Sequence, residues 1–92
     1  MISRPPYVVQ IKKSAEKELD HLASADFDRI LFALLDLETN PRPASTKRLR
    51  GTGEYRLRVG SYRVLYTIDD EKRTVEITAV GHRSDVYRHG HS

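Results

Sequence analysis

Apolar and polar residues alternate along residues 54–66, EYRLRVGSYRVLY, on both sides of Gly60 and Ser61. Alternation with period two is typical of strands that bury one face, and a Gly-Ser pair between two such runs indicates a two-residue hairpin turn. The residues expected to face one another on the apolar side are Val59 and Tyr62, Leu57 and Val64, and Tyr55 and Tyr66. The pattern therefore predicts a tight hairpin that packs one face on a core.

The other face of this hairpin carries three arginines. Arg56 and Arg58 lie on its first strand, and Arg58 is expected directly across from Arg63 on the second. Like charges placed opposite one another destabilise a sheet. A single arginine is most simply a solvated side chain, but three on one face favour an anion site. The anion could be a phosphate, a nucleic-acid backbone or an acidic partner protein.

The segment before the hairpin has helical periodicity and predicts two helices. Ser14 is expected to cap the first, and Ser24 or Asp26 the second. The residues of the first apolar stripe are Ala15, Leu19, Leu22 and Ala23. The second stripe, with spacing i, i+3, i+4, i+7 and i+8, comprises Phe27, Ile30, Leu31, Leu34 and Leu35. Asn40-Pro41 ends this helix, because the residue before a proline is driven out of the helical region.

Three further stretches complete the pattern. Residues 7–11 predict a first strand, residues 41–53 a basic connection punctuated by Pro and Gly, and residues 74–80 a last strand after a turn. The expected pairs between the last two strands are Val75 with Ile68, Ile77 with Tyr66, Ala79 with Val64, and Val80 with Arg63. This register leaves His82 and Arg83 near the arginine face.

The predicted fold is thus α+β, in the order β-α-α-β-β-β. A small, mainly antiparallel sheet carries a two-helix hairpin on one face. We expect residues 1–92 to form one domain, with residues 88–92 as a disordered tail.

Composition narrows the class of protein. The 92 residues are 38% hydrophobic and 32% charged, which is typical of a soluble globular domain. The absence of cysteine fits the cytoplasm, and no apolar run is long enough for a membrane span or a signal peptide. The sequence has no cysteine cluster and no plausible carboxylate–histidine cluster that could bind a metal, so we expect no cofactor. The net charge is only +3, but seven basic residues and one acid lie between Arg42 and Arg63, which suits a polyanion or an acidic protein.

Three segments resemble one known family when taken together and in this order. They are the hairpin YRLRVGSYRVLY, the strand end AVGHR at 79–83 and DVYR at 85–88. The chain resembles the RelE/ParE toxin superfamily, specifically the RelE-like ribosome-dependent mRNA interferases, from its first strand to Tyr87. The resemblance implies the toxin of a type II toxin–antitoxin system, an endoribonuclease that cuts mRNA in the ribosomal A site. It also implies a cognate antitoxin, expected to use an acidic segment in a toxin–antitoxin hetero-oligomer.

The resemblance also implies site residues. The paired strand lysines of well-known members fall at Arg56 and Arg58, and the next-strand arginine at Arg63. The strand-end arginine and the C-terminal tyrosine fall at Arg83 and Tyr87.

Two departures from the family pattern are visible. Arginines replace the strand lysines, and the segment between Arg83 and Tyr87 is shorter than in some members. Arginine neutralises phosphate well but exchanges protons poorly, so acid–base work shifts to Tyr87 or His82. The basic residues Lys47, Arg48 and Arg50 are expected to contact the RNA backbone.

Two other functions stay open. A ParE-like toxin on the same fold poisons DNA gyrase without nuclease activity, and its hairpin is similarly basic. An inactive relative would bind RNA or protein, with its antitoxin as the main partner. Because one fold serves several activities, the fold does not decide between them.

Overall fold

A computed structural model describes residues 6–82. Its elements in chain order are β1 (Val8–Ile11), α1 (Lys13–Asp20), α2 (Ser24–Asp36), β2 (Thr46–Arg48), β3 (Tyr55–Val59), β4 (Tyr62–Asp69) and β5 (Thr74–His82). They form one five-stranded sheet in the order β1-β5-β4-β3-β2. β1 runs parallel to β5, and every other neighbouring pair is antiparallel. The predicted element types and their order are confirmed, with β2 as an addition that the pattern did not predict.

Both helices pack on one face of the sheet. α1 lies against β5 and α2 against β3. The side chains that are almost fully buried between the layers include Ile30, Leu34, Leu37, Val64, Tyr66, Val75, Ile77 and Val80. Neither helix within residues 6–82 is long and apolar enough to cross a membrane.

The helix starts differ from the predicted caps. Lys12 and Ala23 occupy the N-cap positions, and neither makes a side-chain capping bond. Ser14 lies inside α1, where its hydroxyl donates to the Thr78 carbonyl at 3.5 Å. Ser24 is already helical. The predicted caps are therefore wrong. The Ser14 hydroxyl contacts β5 instead of its own first turn, and both Ser24 and Asp26 lie inside the first turn of α2.

The α2 stripe is narrower than its periodicity suggested. Ile30 and Leu34 are buried as predicted, whereas Leu31 and Leu35 are exposed. Leu37, just past the helix, completes the buried row. The difference arises because α2 presents only its i, i+4, i+7 row to the sheet.

The pairing of β4 with β5 contains an irregularity that the alternation did not predict. Val75 pairs with Ile68 and Ile77 with Tyr66, as expected, but Ala79 pairs with Leu65. Thr78 is therefore an extra residue on β5, a β-bulge. Beyond it, Val80 pairs with Val64 in the core, and Gly81 pairs with Arg63. The predicted pairs Ala79–Val64 and Val80–Arg63 are wrong for this reason.

Candidate functional site: a cationic cleft

The β3–β4 hairpin has the register that its sequence predicted. Tyr55 pairs with Tyr66, Leu57 with Val64, Arg58 with Arg63, and Val59 with Tyr62. Gly60 opens the turn at φ +59°, a left-handed conformation that glycine adopts without strain. A Cβ at this position would also lie 2.9 Å from the Arg29 guanidinium of α2, so space as well as conformation favours glycine.

Because side chains alternate along strands, the three hairpin arginines share the face that the helices leave uncovered. β2 extends this face, since Lys47 pairs with Arg56. A cleft of about 230 Å³ forms here, lined by Ala44, Ser45, Lys47, Arg56, Arg58 and Arg63. We call it the cationic cleft. No described residue that lines it carries a negative charge.

The cationic cleft places like charges opposite one another on adjacent strands. Arg58 lies opposite Arg63, and the Arg63 side chain is only 5% exposed. A buried guanidinium loses hydration, and a like charge across the ladder adds repulsion. An anion in the cleft would reduce the repulsion between Arg58 and Arg63. Arginine suits a phosphate in particular, because its planar fork matches the phosphate oxygens.

The structure divides the basic residues that were expected to act as one RNA-contacting group. Lys47 lines the cationic cleft. Arg48 pairs with Tyr55, so alternation places it on the opposite face, towards the helices. Arg50 lies in the loop that leads from β2 to β3. Of the three, only Lys47 joins the hairpin arginines.

His82 lies on the other side of the sheet from the position expected for it. It pairs with Tyr62, and the two rings meet edge-on with their centroids 5.8 Å apart. The Tyr62 hydroxyl donates to Asp26 of α2 at 3.4 Å, which fixes this pair on the helix side. Burial, together with Asp26, raises the Tyr62 pKa. The predicted location of His82 near the arginine face is therefore wrong, and the bulge at Thr78 is the physical reason.

Arg83 and Tyr87 lie outside the described residues, as do His89, His91 and the tail at 88–92. Their predicted roles stay predictions. The lining residues Ala44 and Ser45 were missed by sequence reasoning, because small residues in a Pro-containing loop carry no signal for a cleft wall.

Two of the larger clefts within residues 6–82 do not suit a polyanion. One of about 840 Å³ lies at the β4–β5 turn, where its acidic lining residues are Asp69, Asp70, Glu71 and Glu76. The other, of about 660 Å³, is bordered by Tyr7, Arg42 and Arg73. Its Arg42 guanidinium is already engaged by Asp70 at 2.9 Å. The cationic cleft is smaller than either, but four of its six described lining residues are cationic.

The Asp70 carboxylate is the centre of a polar network that the sequence pattern did not reveal. Arg42 donates two hydrogen bonds to it, and the Tyr7 hydroxyl donates a third at 2.6 Å. The Arg42 bonds, followed by the Tyr7 bond, hold the Asp70 pKa below its usual range. Arg42 also donates to the Tyr55 hydroxyl at 3.1 Å. The network ties together the residue before β1, strand β3, the loop before β2 and the β4–β5 turn.

The described residues offer no obvious metal centre. Across residues 6–82, no three histidine, cysteine or carboxylate side chains gather in a way that could hold a metal ion. The cleft side chains themselves are cationic, and cationic side chains do not attract a metal ion. What the cleft can do is bind an anion and stabilise negative charge that develops on it.

Comparison with known proteins agrees with this geometry. Residues 9–87 match the family described as "ParE toxin of type II toxin-antitoxin system, parDE". Toxin RelG of Mycobacterium tuberculosis is 39% identical over 85 residues, covering 90% of this chain and 98% of the relative.

Two solved structures share the fold. The toxin–antitoxin complex RelBE2 of Mycobacterium tuberculosis gives a TM-score of 0.76 at 35% identity, covering 84% of this chain and 98% of that one. The RelE–RelB complex of Pyrococcus horikoshii gives 0.77 at 33% identity, covering 85% and 96%. With the family match over residues 9–87, these likenesses establish that the chain belongs to the ParE toxin family of type II toxin–antitoxin systems, within the RelE/ParE superfamily.

Proposed function

We propose that this toxin is a ribosome-dependent endoribonuclease whose cationic cleft cleaves mRNA in the ribosomal A site. The observation that carries the proposal is the convergence of three arginines and Lys47 in one cleft, with no acid among its lining residues within 6–82. The names of its relatives favour this branch of the superfamily, since they include RelG and RelE1. The same is true of the solved RelE toxins that share its fold.

The reaction explains why arginines are useful here. In metal-independent cleavage the 2′-oxygen loses its proton and bonds to the adjacent phosphorus. The bond to the 5′-oxygen breaks, and that oxygen takes up a proton. The products are a 2′,3′-cyclic phosphate and a 5′-hydroxyl. Negative charge grows on the phosphoryl oxygens in the transition state, and preorganised cations that face them are often the largest catalytic contribution. We assign Arg63 and Arg83 to the scissile phosphate, and Arg56 and Arg58 to phosphate charge and the leaving group.

Acid–base work requires groups that exchange protons, which arginine does not do near neutral pH. His82 is withdrawn from this role, because it lies on the helix side of the sheet. Tyr87 keeps the role of general base that the resemblance implies. Among the described residues that line the cleft, Lys47 is the one with an amine, and we assign it the protonation of the 5′-oxygen.

The Lys47 assignment has a direct test. Lys47→Arg keeps the positive charge but removes the transferable proton. We expect it to slow single-turnover cleavage by about tenfold or more, since a positioned acid typically contributes ~10²–10⁴-fold. Lys47→Ala should be at least as slow. A Lys47→Arg protein that cleaves at the native rate would show that Lys47 supplies charge alone.

We also propose that the protein binds a cognate antitoxin in the cytoplasm, where its mRNA target is translated. The relatives from Mycobacterium tuberculosis and Pyrococcus horikoshii were solved as RelBE2 and RelE–RelB complexes. An acidic antitoxin segment over the cationic cleft would relieve the repulsion between Arg58 and Arg63. Binding to RNA should weaken steeply with salt, because cations that contact phosphates displace condensed counterions.

One observation favours a second candidate function. The matching family is described by a ParE toxin rather than a RelE toxin. A ParE-like activity would poison DNA gyrase and cut no RNA. In that case the cleft would bind an acidic surface without chemistry, and proton transfer by Lys47 would be irrelevant.

Induction of the protein in cells without an antitoxin separates these functions. We would map mRNA 5′ ends and DNA breaks for the native protein, Arg63→Met and Lys13→Ala. Lys13 is an exposed cation at the start of α1, so its variant is matched for charge loss away from the cleft. Cuts within translated codons, lost in Arg63→Met and kept in Lys13→Ala, are the expected result. DNA breaks with intact mRNA would assign the gyrase-poison function. The absence of both mRNA cuts and DNA breaks would indicate an inactive relative.

Naked RNA is a poor substrate for this test. The ribosome holds the A-site codon in a fixed orientation, and orientation can supply a large part of a rate enhancement. We therefore expect slow cleavage of free RNA by the isolated protein, and the ribosome-bound substrate is the one that decides.

A further inference from the structure

The bulge in β5 determines which residue lies beside Arg63. From Asp69–Thr74 to Tyr66–Ile77 the β4–β5 pairs follow one register, and from Leu65–Ala79 to Tyr62–His82 they follow a register shifted by one residue. Thr78 is the residue left without a partner on β4. Beyond Thr78, every β5 side chain therefore lies on the face opposite to the one that strict alternation gives it.

This shift changes the neighbourhood of the cationic cleft. An unbulged ladder would pair Val80 with Arg63, and side chains directly opposite one another approach to roughly 5 Å between their Cβ atoms. Val80 would then add an apolar side chain next to Arg63 and leave a gap in the core. In the bulged ladder Gly81 pairs with Arg63 and brings no side chain, while Val80 is 1% exposed within the core.

Two carboxylates hold the bulge from the two faces of the sheet. On the uncovered face, the Thr78 hydroxyl contacts Glu54 Oε2 at 2.6 Å and the Leu65 carbonyl at 3.2 Å. On the helix side, Glu18 of α1 accepts a 2.8 Å hydrogen bond from the Val80 backbone N–H. Val80 is the second residue beyond the bulge, so this bond ties the shifted part of β5 to α1.

We propose that Glu54 and Glu18 are positioning residues, which lock the bulge at Thr78 and so keep Gly81 rather than Val80 beside Arg63. Neither residue lines the cationic cleft, so neither is assigned contact with RNA. The catalytic consequence rests on the proposed nuclease function, whereas the structural consequence does not. The two can therefore be tested separately.

The first test measures the strand register. In the native protein we expect cross-strand nuclear Overhauser contacts between Arg63 and Gly81. Thr78→Val keeps the side-chain shape but removes the hydroxyl that contacts Glu54. In this variant we expect contacts between Arg63 and Val80 to appear, and Thr78→Ser should restore the native pattern. Thr67→Val is a matched control, because Thr67 is a half-buried threonine of β4 at a regular ladder position.

The second pair of variants addresses the carboxylates. Glu54→Gln and Glu18→Gln each keep an oxygen acceptor and should retain the native register. Glu54→Ala and Glu18→Ala remove the acceptor and should populate the shifted register. These variants also keep the test decisive if Thr78→Val does not fold. A native register in both alanine variants would overturn the proposal.

The third test is the rate of mRNA cleavage on the ribosome. We expect Thr78→Val and Glu54→Ala to lower kcat by about ten- to a hundredfold, because small misplacements of catalytic groups have effects of this size. KM should change little, since the lining cations are retained, and Thr78→Ser and Glu54→Gln should recover most of kcat. A shifted register with native kcat would refute the link between bulge and cleft. If the native protein cuts no mRNA, the nuclease proposal fails, and the register measurement still decides whether the carboxylates hold the bulge.

Discussion

The two faces of the sheet carry different kinds of side chains. On the helix side, Val64, Tyr66 and Ile77 are fully buried and fit the helices. On the uncovered face, Arg58 and Arg63 oppose one another on adjacent strands. The helix side buries apolar side chains that stabilise the fold, whereas the uncovered face gathers cations that can bind an anion. Stability and chemistry are thus assigned to opposite faces of the same strands, and substitutions on each face should affect one property and spare the other.

The largest difference between the effect on mRNA cleavage and the effect on stability is expected for Arg58→Ala. Removing an exposed cleft cation should reduce single-turnover mRNA cleavage on the ribosome by ~10²–10³-fold, the usual effect of losing one group that stabilises transition-state charge. The free energy of unfolding should stay constant or rise by ~0.2–1 kcal/mol, because a like-charge cross-strand pair is removed. Urea unfolding of the same samples gives the second quantity. Lys13→Ala should change neither the cleavage rate nor the free energy of unfolding. If Arg58→Ala lost stability in parallel with its cleavage rate, the two faces would not serve separate properties.

On the helix side, we expect a substitution to lower stability and to leave the cleavage rate of the folded molecules unchanged. Ile77→Ala empties a site with no exposed surface and should lower the free energy of unfolding by ~2–5 kcal/mol. The fraction that remains folded should still cleave at the native rate. Val8→Ala, on the exposed side of β1, should have a small effect on stability. A loss of rate per folded Ile77→Ala molecule would mean that the two faces are coupled.

A smaller loss of stability is expected at Tyr66, whose hydroxyl contacts Thr46 of β2 from the helix side of the sheet. Tyr66 is buried, and its hydroxyl donates to the Pro41 carbonyl at 2.8 Å. Its single proton is used there, so the Thr46 hydroxyl donates to Tyr66 at 2.7 Å. Tyr66→Phe leaves both partners unsatisfied and should lower the free energy of unfolding by ~1–3 kcal/mol. Faster hydrogen exchange at β2 than at β5 would locate the effect, and equal changes in both strands would contradict it.

The smallest effect concerns the Asp70 network. The Asp70 pKa is lowered in the folded protein by Arg42 and Tyr7, so its contribution to stability is complete above the unfolded pKa of about 4. The contribution is lost as the pH falls through the folded pKa. Asp70→Asn should thus be less stable than the native protein at neutral pH, with the difference shrinking in acid. Urea midpoints measured across this range would contradict the account if the difference grew on acidification.

The sequence predicted the hairpin better than its surroundings, for local reasons. Tyr55 to Tyr66 contain both the alternation and the Gly60 turn, so register and faces follow from neighbouring residues alone. β2 has no alternating apolar residues, and what fixes Thr46 is a hydrogen bond to Tyr66, twenty residues away. Ser14 has the character of a cap, but contact with β5 redirects its hydroxyl. Interactions between distant segments decide both cases.

The bulge in β5 was predictable from the sequence only in part. Val75 and Ile77 are two residues apart, while the next buried position, Val80, follows after three. That break in period two is a local sign of an inserted residue, and it would have placed His82 on the helix side. The contacts of Glu18 and Glu54 with the bulge region are not visible in the sequence, because these residues and Thr78 come from three separate segments: α1, the β2–β3 loop and β5.

The most direct measurement of the central claim is single-turnover cleavage of mRNA bound in the ribosomal A site, with native protein and Arg63→Met side by side. Methionine keeps much of the side-chain volume without the charge, and circular dichroism and urea unfolding verify that both proteins are folded. The account predicts 5′-hydroxyl ends within the A-site codon and a rate at least about a hundredfold lower for Arg63→Met. Equal rates for the two folded proteins, or no cleavage by the native one, would contradict it.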